Sequence, residues 1–297
     1  MNQVSTIDTN NFSAMAQVMG MNADTTQQSS KASTLARLRI HHSPIMGQQE
    51  IGGKMKNVEV VSGGTYKLEI PDGPTYYAES VSIRPYLQRF MHKKFVMGND
   101  SRPNRYVKTV MGNDLNNDMK DNDGGFNCGK PAGFIKDWAA LPDNMKDLIK
   151  SIKRVRALFG VVELVNPTDE QGNSVDVEST PFIWEIDNRD AFKTVGEVFT
   201  KLSKMRRLPP QHYVSMTTTE VPLPNGSSFY VPNTSLDLNN TLDMDNEAQE
   251  NFANFIAWIE NYNTYILNSW DENMHKNEEV DTSTVEEFVD IDAEDFV

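Results

Sequence analysis

Arginine, lysine, tyrosine and phenylalanine crowd into residues 75–108, TYYAESVSIRPYLQRFMHKKFVMGNDSRPNRYVK, with the alternation of a strand. The stretch carries seven cations (Arg84, Arg89, Lys93, Lys94, Arg102, Arg105, Lys108) against two acids (Glu79, Asp100), with Tyr76, Tyr77, Tyr86, Phe90, Phe95 and Tyr106 among them. Cations neutralise phosphates and ring faces stack on bases of any identity, so the chemistry within reach of this mixture is non-covalent binding of single-stranded nucleic acid. A period of two sets Tyr86, Gln88, Phe90, His92, Lys94 and Val96 on one face and Leu87, Arg89, Met91, Lys93, Phe95 and Met97 on the other. Neither set is purely apolar, so part of the strand must meet water or a ligand. The competing reading is an ordinary half-buried sheet whose Lys and Arg stems cover apolar surface and end in solvent.

Covalent chemistry finds little support. GGFNCGK at residues 124–130 has neither the GKS/T ending nor the preceding strand of a phosphate loop, and no GxSxG elbow occurs. Cys128 is the single cysteine, and no histidine lies near it in sequence to activate it, with His92 and His212 the partners to be considered. Carboxylates are sparse on the strand-like segments, where Glu69, Glu79, Glu163 and Glu185 are the main ones. The adjacent His41 and His42 lack the thiolates or carboxylates of a metal site. In the acidic loop 111–133, taking Gly124 as the loop glycine puts Met119 and Lys130 at the first and twelfth ligand positions, so the EF-hand pattern fails. No catalytic residue, metal or cofactor is therefore expected.

The net charge of -14 argues against a nucleic-acid partner until its distribution is considered. Residues 237–297 hold 17 acids and one base, Lys276, which leaves 25 acids and 27 bases on residues 1–236. The body is close to neutral and the negative charge is a property of one end. No run of about 18 apolar residues is present, so no membrane span is expected. The first 30 residues have neither a cationic start nor an apolar block, and with one cysteine no internal disulfide can form. A cytoplasmic setting is the expectation.

These residues need elements to hold them. Residues 1–34, rich in Asn, Gln, Ser and Thr, read as a flexible arm. Residues 36–46 bring Arg37, Arg39, His41 and His42 as a cationic approach to the fold. Gly52-Gly53, Gly63-Gly64 and the PDGP turn at 71–74 punctuate hairpins, and Pro85 marks an edge or a bend in the basic strand. The long loop 111–133 is either an unstructured insertion or a flap built on Phe126, Lys130 and Phe134. Met145, Leu148, Ile149 and Ile152 then recur at helical spacing behind Asp143 as N-cap. The β-branched run 155–165 reads as a central strand, and 180–187 as the next. Asp187 or Asn188 caps a second helix with Phe192, Val195, Phe199, Leu202 and Met205 inward, stopped by Pro209-Pro210. A hairpin follows, turning at Pro224-Asn225-Gly226. Phe252, Phe255, Ile256, Ile259, Tyr262, Ile266 and Trp270 share a helical phase, and residues 271–297 form an acidic tail with eleven acids to one base.

Short strands, an interposed helix, a basic-aromatic face and a terminal acidic tail ending in Asp-Phe-Val together resemble the phage single-stranded DNA-binding proteins built on an OB fold. The resemblance implies an α+β chain with an OB-like β-barrel core, helical insertions, a disordered N-terminal arm and an acidic C-terminal tail. It implies a groove at Tyr86, Arg89, Phe90, Lys93, Lys94, Arg105, Tyr106 and Lys108, and a partner-binding tail tip at Glu294, Asp295 and Phe296. It also implies a tail that contacts replication proteins and shields the groove when DNA is absent. Some relatives hold a zinc with several Cys and His, which a chain with one cysteine cannot do. The expected organisation is an arm (1–34), a nucleic-acid-binding domain with a C-terminal helix (35–270) and the tail (271–297). The expected function is non-catalytic binding of single-stranded DNA in phage replication or recombination. The alternative is a virion structural or assembly protein, whose N-terminal arm and aromatic helix would supply subunit contacts in a homo-oligomer.

Overall fold

The computed structural model describes residues 35–98, 103–224 and 226–274, and the backbone of 289–290. The expected arm, Asn225 and the tail tip at Glu294, Asp295 and Phe296 lie outside the described residues. The chain is α+β. Its strands are β1 (Ala36–Ile40), β2 (Ile45–Ile51), β3 (Lys54–Val61), β4 (Tyr66–Glu69), β5 (Thr75–Ala78), β6 (Ser80–Val96), β7 (Arg105–Lys108), β8 (Phe134–Ile135), β9 (Ile152–Val165), β10 (Thr180–Ile186), β11 (Val214–Pro222), β12 (Ser228–Leu236) and β13 (Val289–Asp290). Its α-helices are α1 (Asp143–Ser151), α2 (Arg189–Lys204) and α3 (Asn246–Asn273).

A nine-stranded sheet runs in the order β12-β11-β6-β9-β10-β1-β4-β5, with β7 paired to the far end of β6. Its neighbours are antiparallel except β1 and β10, which are parallel. The sheet is not a closed barrel. Its ends meet through side chains instead. Thr218 Oγ1 donates to the Gly64 carbonyl at 2.6 Å and Tyr66 Oη to the Thr217 carbonyl at 3.0 Å. Tyr230 packs closely on Gly64, where φ is +87° and a Cβ would sit 2.5 Å from its ring. Glycine is the residue that tolerates both the close approach and the left-handed backbone. β2 and β3 form a separate two-stranded ribbon turning at Gly52-Gly53, as the glycine punctuation predicts. The backbone of β13 pairs antiparallel with β8, Val289 opposite Ile135 and Asp290 opposite Phe134.

β6 is the spine, and Pro85 explains how one strand serves two cores. It pairs with Gly160 of β9 at a bulge between Pro85 and Leu87, past Ile83 where the pairing with β11 ends, so it marks a bend on a locally unpaired side of the strand. The extra residue inverts the alternation. Before it, Val81 and Ile83 pack into the core under α2 with Leu38, Leu158, Phe182, Trp184, Val195 and Leu202. After it, Leu87 and Met91 pack with Val155, Ala157, Phe159, Phe255 and Ile259 under α3. Across the bulge sits Gly160, where a Cβ would lie 2.5 Å from the Arg84 carbonyl. Each fully buried large side chain stabilises the fold by roughly 1.5–3 kcal/mol, and both faces of this strand draw on that term.

The helices follow their apolar spacing with small shifts. α1 starts at Asp143 behind Pro142, so Asp143 is the first helical residue and not the cap, and Ile152 already begins β9. Asn188 caps α2 by accepting from the amides of Asp190 and Ala191. Of the residues expected inward on α2, Val195 and Leu202 are buried, Phe192 and Phe199 are half-buried, and Met205 is exposed. Loop 111–133 is tied by the buried Asp121, whose carboxylate accepts from the amides of Asp123, Gly125 and Cys128 at 2.9 Å. No helix among the described residues is long and apolar enough to cross a membrane.

Candidate nucleic-acid interface

β1 pairs with β10 only at Ala36–Phe182 and Arg37–Ile183. Beyond Arg37 the strands part, and a cavity of about 490 Å³ opens between Leu38–Ile40 and Trp184–Ile186. The α3 side of the sheet supplies its rim. Arg37 and Arg39 come from β1, Lys93 from β6, Tyr106 and Lys108 from β7, with Glu69, Glu185 and Asp187 between them. The alternating burial of ARLRI puts Leu38 in the core and both arginines outward, so the motif Arg-x-Arg delivers two cations to one edge. His42 and Tyr230 line the other end, their rings stacked 6.4 Å apart at 20°.

Three cations of this trough, Arg39, Lys93 and Lys108, are held by acids. Lys108 Nζ donates to both Glu185 oxygens, at 2.7 and 3.0 Å. Lys93 Nζ lies 3.0 Å from Asp187 and 3.8 Å from Glu185. Arg39 and Lys67 both pair with Glu69. Burial acts to raise the Glu69 carboxyl, and the hydrogen bonds from Lys67 and Arg39 overcome it, holding the group below its ordinary range. Tyr106 is 53 % exposed, its ring tilted against Phe95 at 5.1 Å with the Lys93 ammonium 5.6 Å from its centre. An exposed ring beside paired lysines can stack a base while the ammonium groups exchange carboxylate for phosphate.

Of the eight groove residues expected from the sequence, Lys93, Tyr106 and Lys108 come together here. Arg89 is on the same side but half-buried and donates to the Gln88 carbonyl at 2.9 Å, and burial lowers its pKa. Tyr86 is in the core, 3 % exposed and 5.3 Å from the Phe255 ring, because the bulge turns it under α3. Phe90 and Lys94 are on the α2 side. Phe90 meets Phe192 at 6.0 Å, with the Arg156 guanidinium 4.9 Å from its centre, and Lys94 Nζ donates to the Cys128 carbonyl at 3.1 Å. Arg105 is engaged by both oxygens of Asp123 in the neighbouring loop. The positions that alternation did not single out are Arg37, Arg39, Glu69, Glu185, Asp187 and Tyr230. Only the Arg-x-Arg spacing offered a signal for them.

Cys128 is buried, its Sγ 3.4 Å from the Val107 carbonyl, and burial drives its thiol pKa upward, which is the environment of an unreactive cysteine. Among the described residues, no three His, Cys, Asp or Glu side chains gather as a metal site. His42 Nδ1 accepts from the Tyr230 amide at 3.1 Å, and His41 packs edge-on against Tyr77. The chain matches no protein-family model, no curated protein and no solved structure.

Proposed function

We propose that the chain is a non-catalytic single-stranded DNA-binding protein of phage replication or recombination, with the strand lying across the trough between β1 and β10. The observation that carries this reading is the placement of Arg37, Arg39, Lys93 and Lys108 around an open cavity with the exposed Tyr106 ring at its rim. Phosphates displace Glu185 and Asp187 from the lysines, and bases stack on Tyr106. Because Glu69, Glu185 and Asp187 compete with phosphate for the same N–H donors, binding is weak at high salt and indifferent to base identity.

An OB-like ancestry is part of the proposal. It is supported by a sheet whose ends meet through Thr218 and Tyr66 and whose curl is filled by α2. A role for the acidic segment in shielding DNA-binding surface and contacting replication proteins is supported by the return of residues 289–290 to β8. The test is a fluorescence-anisotropy titration of the full chain with single- and double-stranded oligonucleotides at low salt. Saturable binding favouring the single strand is expected, with log K falling against log salt at a slope of about −3 for four phosphate contacts. No binding at low salt, or binding indifferent to Lys93→Gln with Lys108→Gln, overturns the reading.

A further inference from the structure

On the opposite side of β6 lies a second group of cations, and it is built differently. His92 and Arg154 face each other directly across the β6–β9 ladder, and Lys94 follows on the same face. Lys94 Nζ is anchored 3.1 Å from the Cys128 carbonyl, two residues before Lys130. The turn that brings Lys130 in is held by the Asp121 carboxylate on the Cys128 amide at 2.9 Å and by the Lys130 amide on the Asn127 carbonyl at 3.0 Å. Asn127, Cys128 and Gly129 all have positive φ there, a backbone that no ordinary loop adopts without support. His92 is 3 % exposed, and its Nδ1 is buried with no hydrogen-bond partner. Among the described residues, Lys94, Lys130 and Arg154 form no ion pair with a carboxylate.

Bringing like charges together and partly removing them from water is unfavourable unless a counter-charge completes the site. Asp121 is the buried acid of the same loop, but its oxygens are taken by three backbone amides. A group that fits here is small, anionic and rich in acceptor oxygens, able to take N–H bonds from an ammonium, a guanidinium and an imidazole at once. We propose that His92, Lys94, Lys130 and Arg154 form a binding site for a phosphoryl group, distinct from the trough between β1 and β10. The electrostatics run the same way: burial and then Arg154 lower Lys130 to about 8, and burial, Lys130 and Arg154 lower His92 to about 4. An anion seated among them reverses both effects. Arg154 is exposed and gives the site its opening to solvent.

The site is tested on the full chain with inorganic phosphate against chloride at matched ionic strength and pH 7, by calorimetry and by the imidazole resonance of His92, assigned by its loss in His92→Gln. One saturable phosphate is expected, moving that resonance. Affinity should drop at least tenfold in Lys130→Gln and in Arg154→Gln and stay unchanged in Lys56→Gln on the separate β2–β3 ribbon. In chloride the first two variants should melt no lower than the parent, since each removes a repulsion, while losing the rise in Tm that phosphate gives. The phosphate source is separated by an oligonucleotide with and without a 5′-phosphate. Weakening by Lys130→Gln confined to the phosphorylated strand assigns the site to strand ends, and weakening seen with inorganic phosphate alone assigns it to a small ligand. Absence of saturable phosphate binding, equal binding in all variants, or destabilisation of Lys130→Gln and Arg154→Gln in chloride overturns the proposal.

Discussion

The two sides of β6 hold similar numbers of cations and handle them in opposite ways. In the trough, Lys93 and Lys108 have Glu185 and Asp187 within ion-pair distance, and Arg39 has Glu69. Beside the 127–130 turn, which carries Lys130, Lys94 and Arg154 share a face with the buried His92, and no acid among the described residues pairs with the three cations. The first arrangement is stable when empty and yields its lysines to a phosphate only by exchange. The second is repulsive when empty and gains from any anion that enters. A paired surface suits a ligand that passes along it, whereas an unpaired cluster suits a ligand that stays. Total charge describes neither, because what differs is whether each cation already has its partner.

The largest effect that separates the two sides is on stability against pH. His92 has a folded pKa of about 4 against an ordinary 6.5, so below pH 6.5 the unfolded chain takes a proton that the folded one refuses. Stability is therefore intact above pH 6.5 and declines as pH falls toward 4, by about 3 kcal/mol at the limit. Urea denaturation between pH 7 and 4 should show this slope, flattened in His92→Gln and reduced when phosphate replaces chloride. A slope insensitive to both would remove the contrast between the sides. Next comes Tyr106→Ala, expected to weaken single-stranded oligonucleotide binding by about 1–3 kcal/mol while leaving phosphate calorimetry unchanged. A smaller shift, in the other direction, is expected from Glu185→Gln. It frees Lys108 from a competing carboxylate and should tighten oligonucleotide binding several-fold at low salt, an effect that salt then erases. Smallest is Arg105→Gln, where the pair with Asp123 is half-exposed, so melting and oligonucleotide affinity should move by no more than about 0.5 kcal/mol.

Much of the scaffold is legible from residue order. The hairpin glycines, the β-branched strand at 155–165, the Asn188 cap and the aromatic phase of α3 are local signals, and the elements formed on them. The site was legible only in part. Alternation brought out Lys93, Tyr106 and Lys108, yet it could not anticipate the bulge that sends Tyr86 under α3 or the side on which Phe90 and Lys94 emerge. Nor does sequence separation reveal that Glu185 would meet Lys108, or that Arg154 would stand opposite His92. Those pairings follow from strand order and register, which are set by the packing of the whole sheet and not by any one segment.

The bulge at Pro85–Leu87 also makes β6 indifferent to one change in its length. Pro85 and Leu87 stand opposite consecutive residues of β9, Gly160 and Phe159, so Tyr86 is the one residue the ladder does not count. Removing it would close the bulge and leave Lys93 at the trough and His92 and Lys94 beside the 127–130 turn. Removing a residue from the regular stretch Gln88–Val96 would instead turn every later side chain through the sheet and give the molecule a different pair of surfaces.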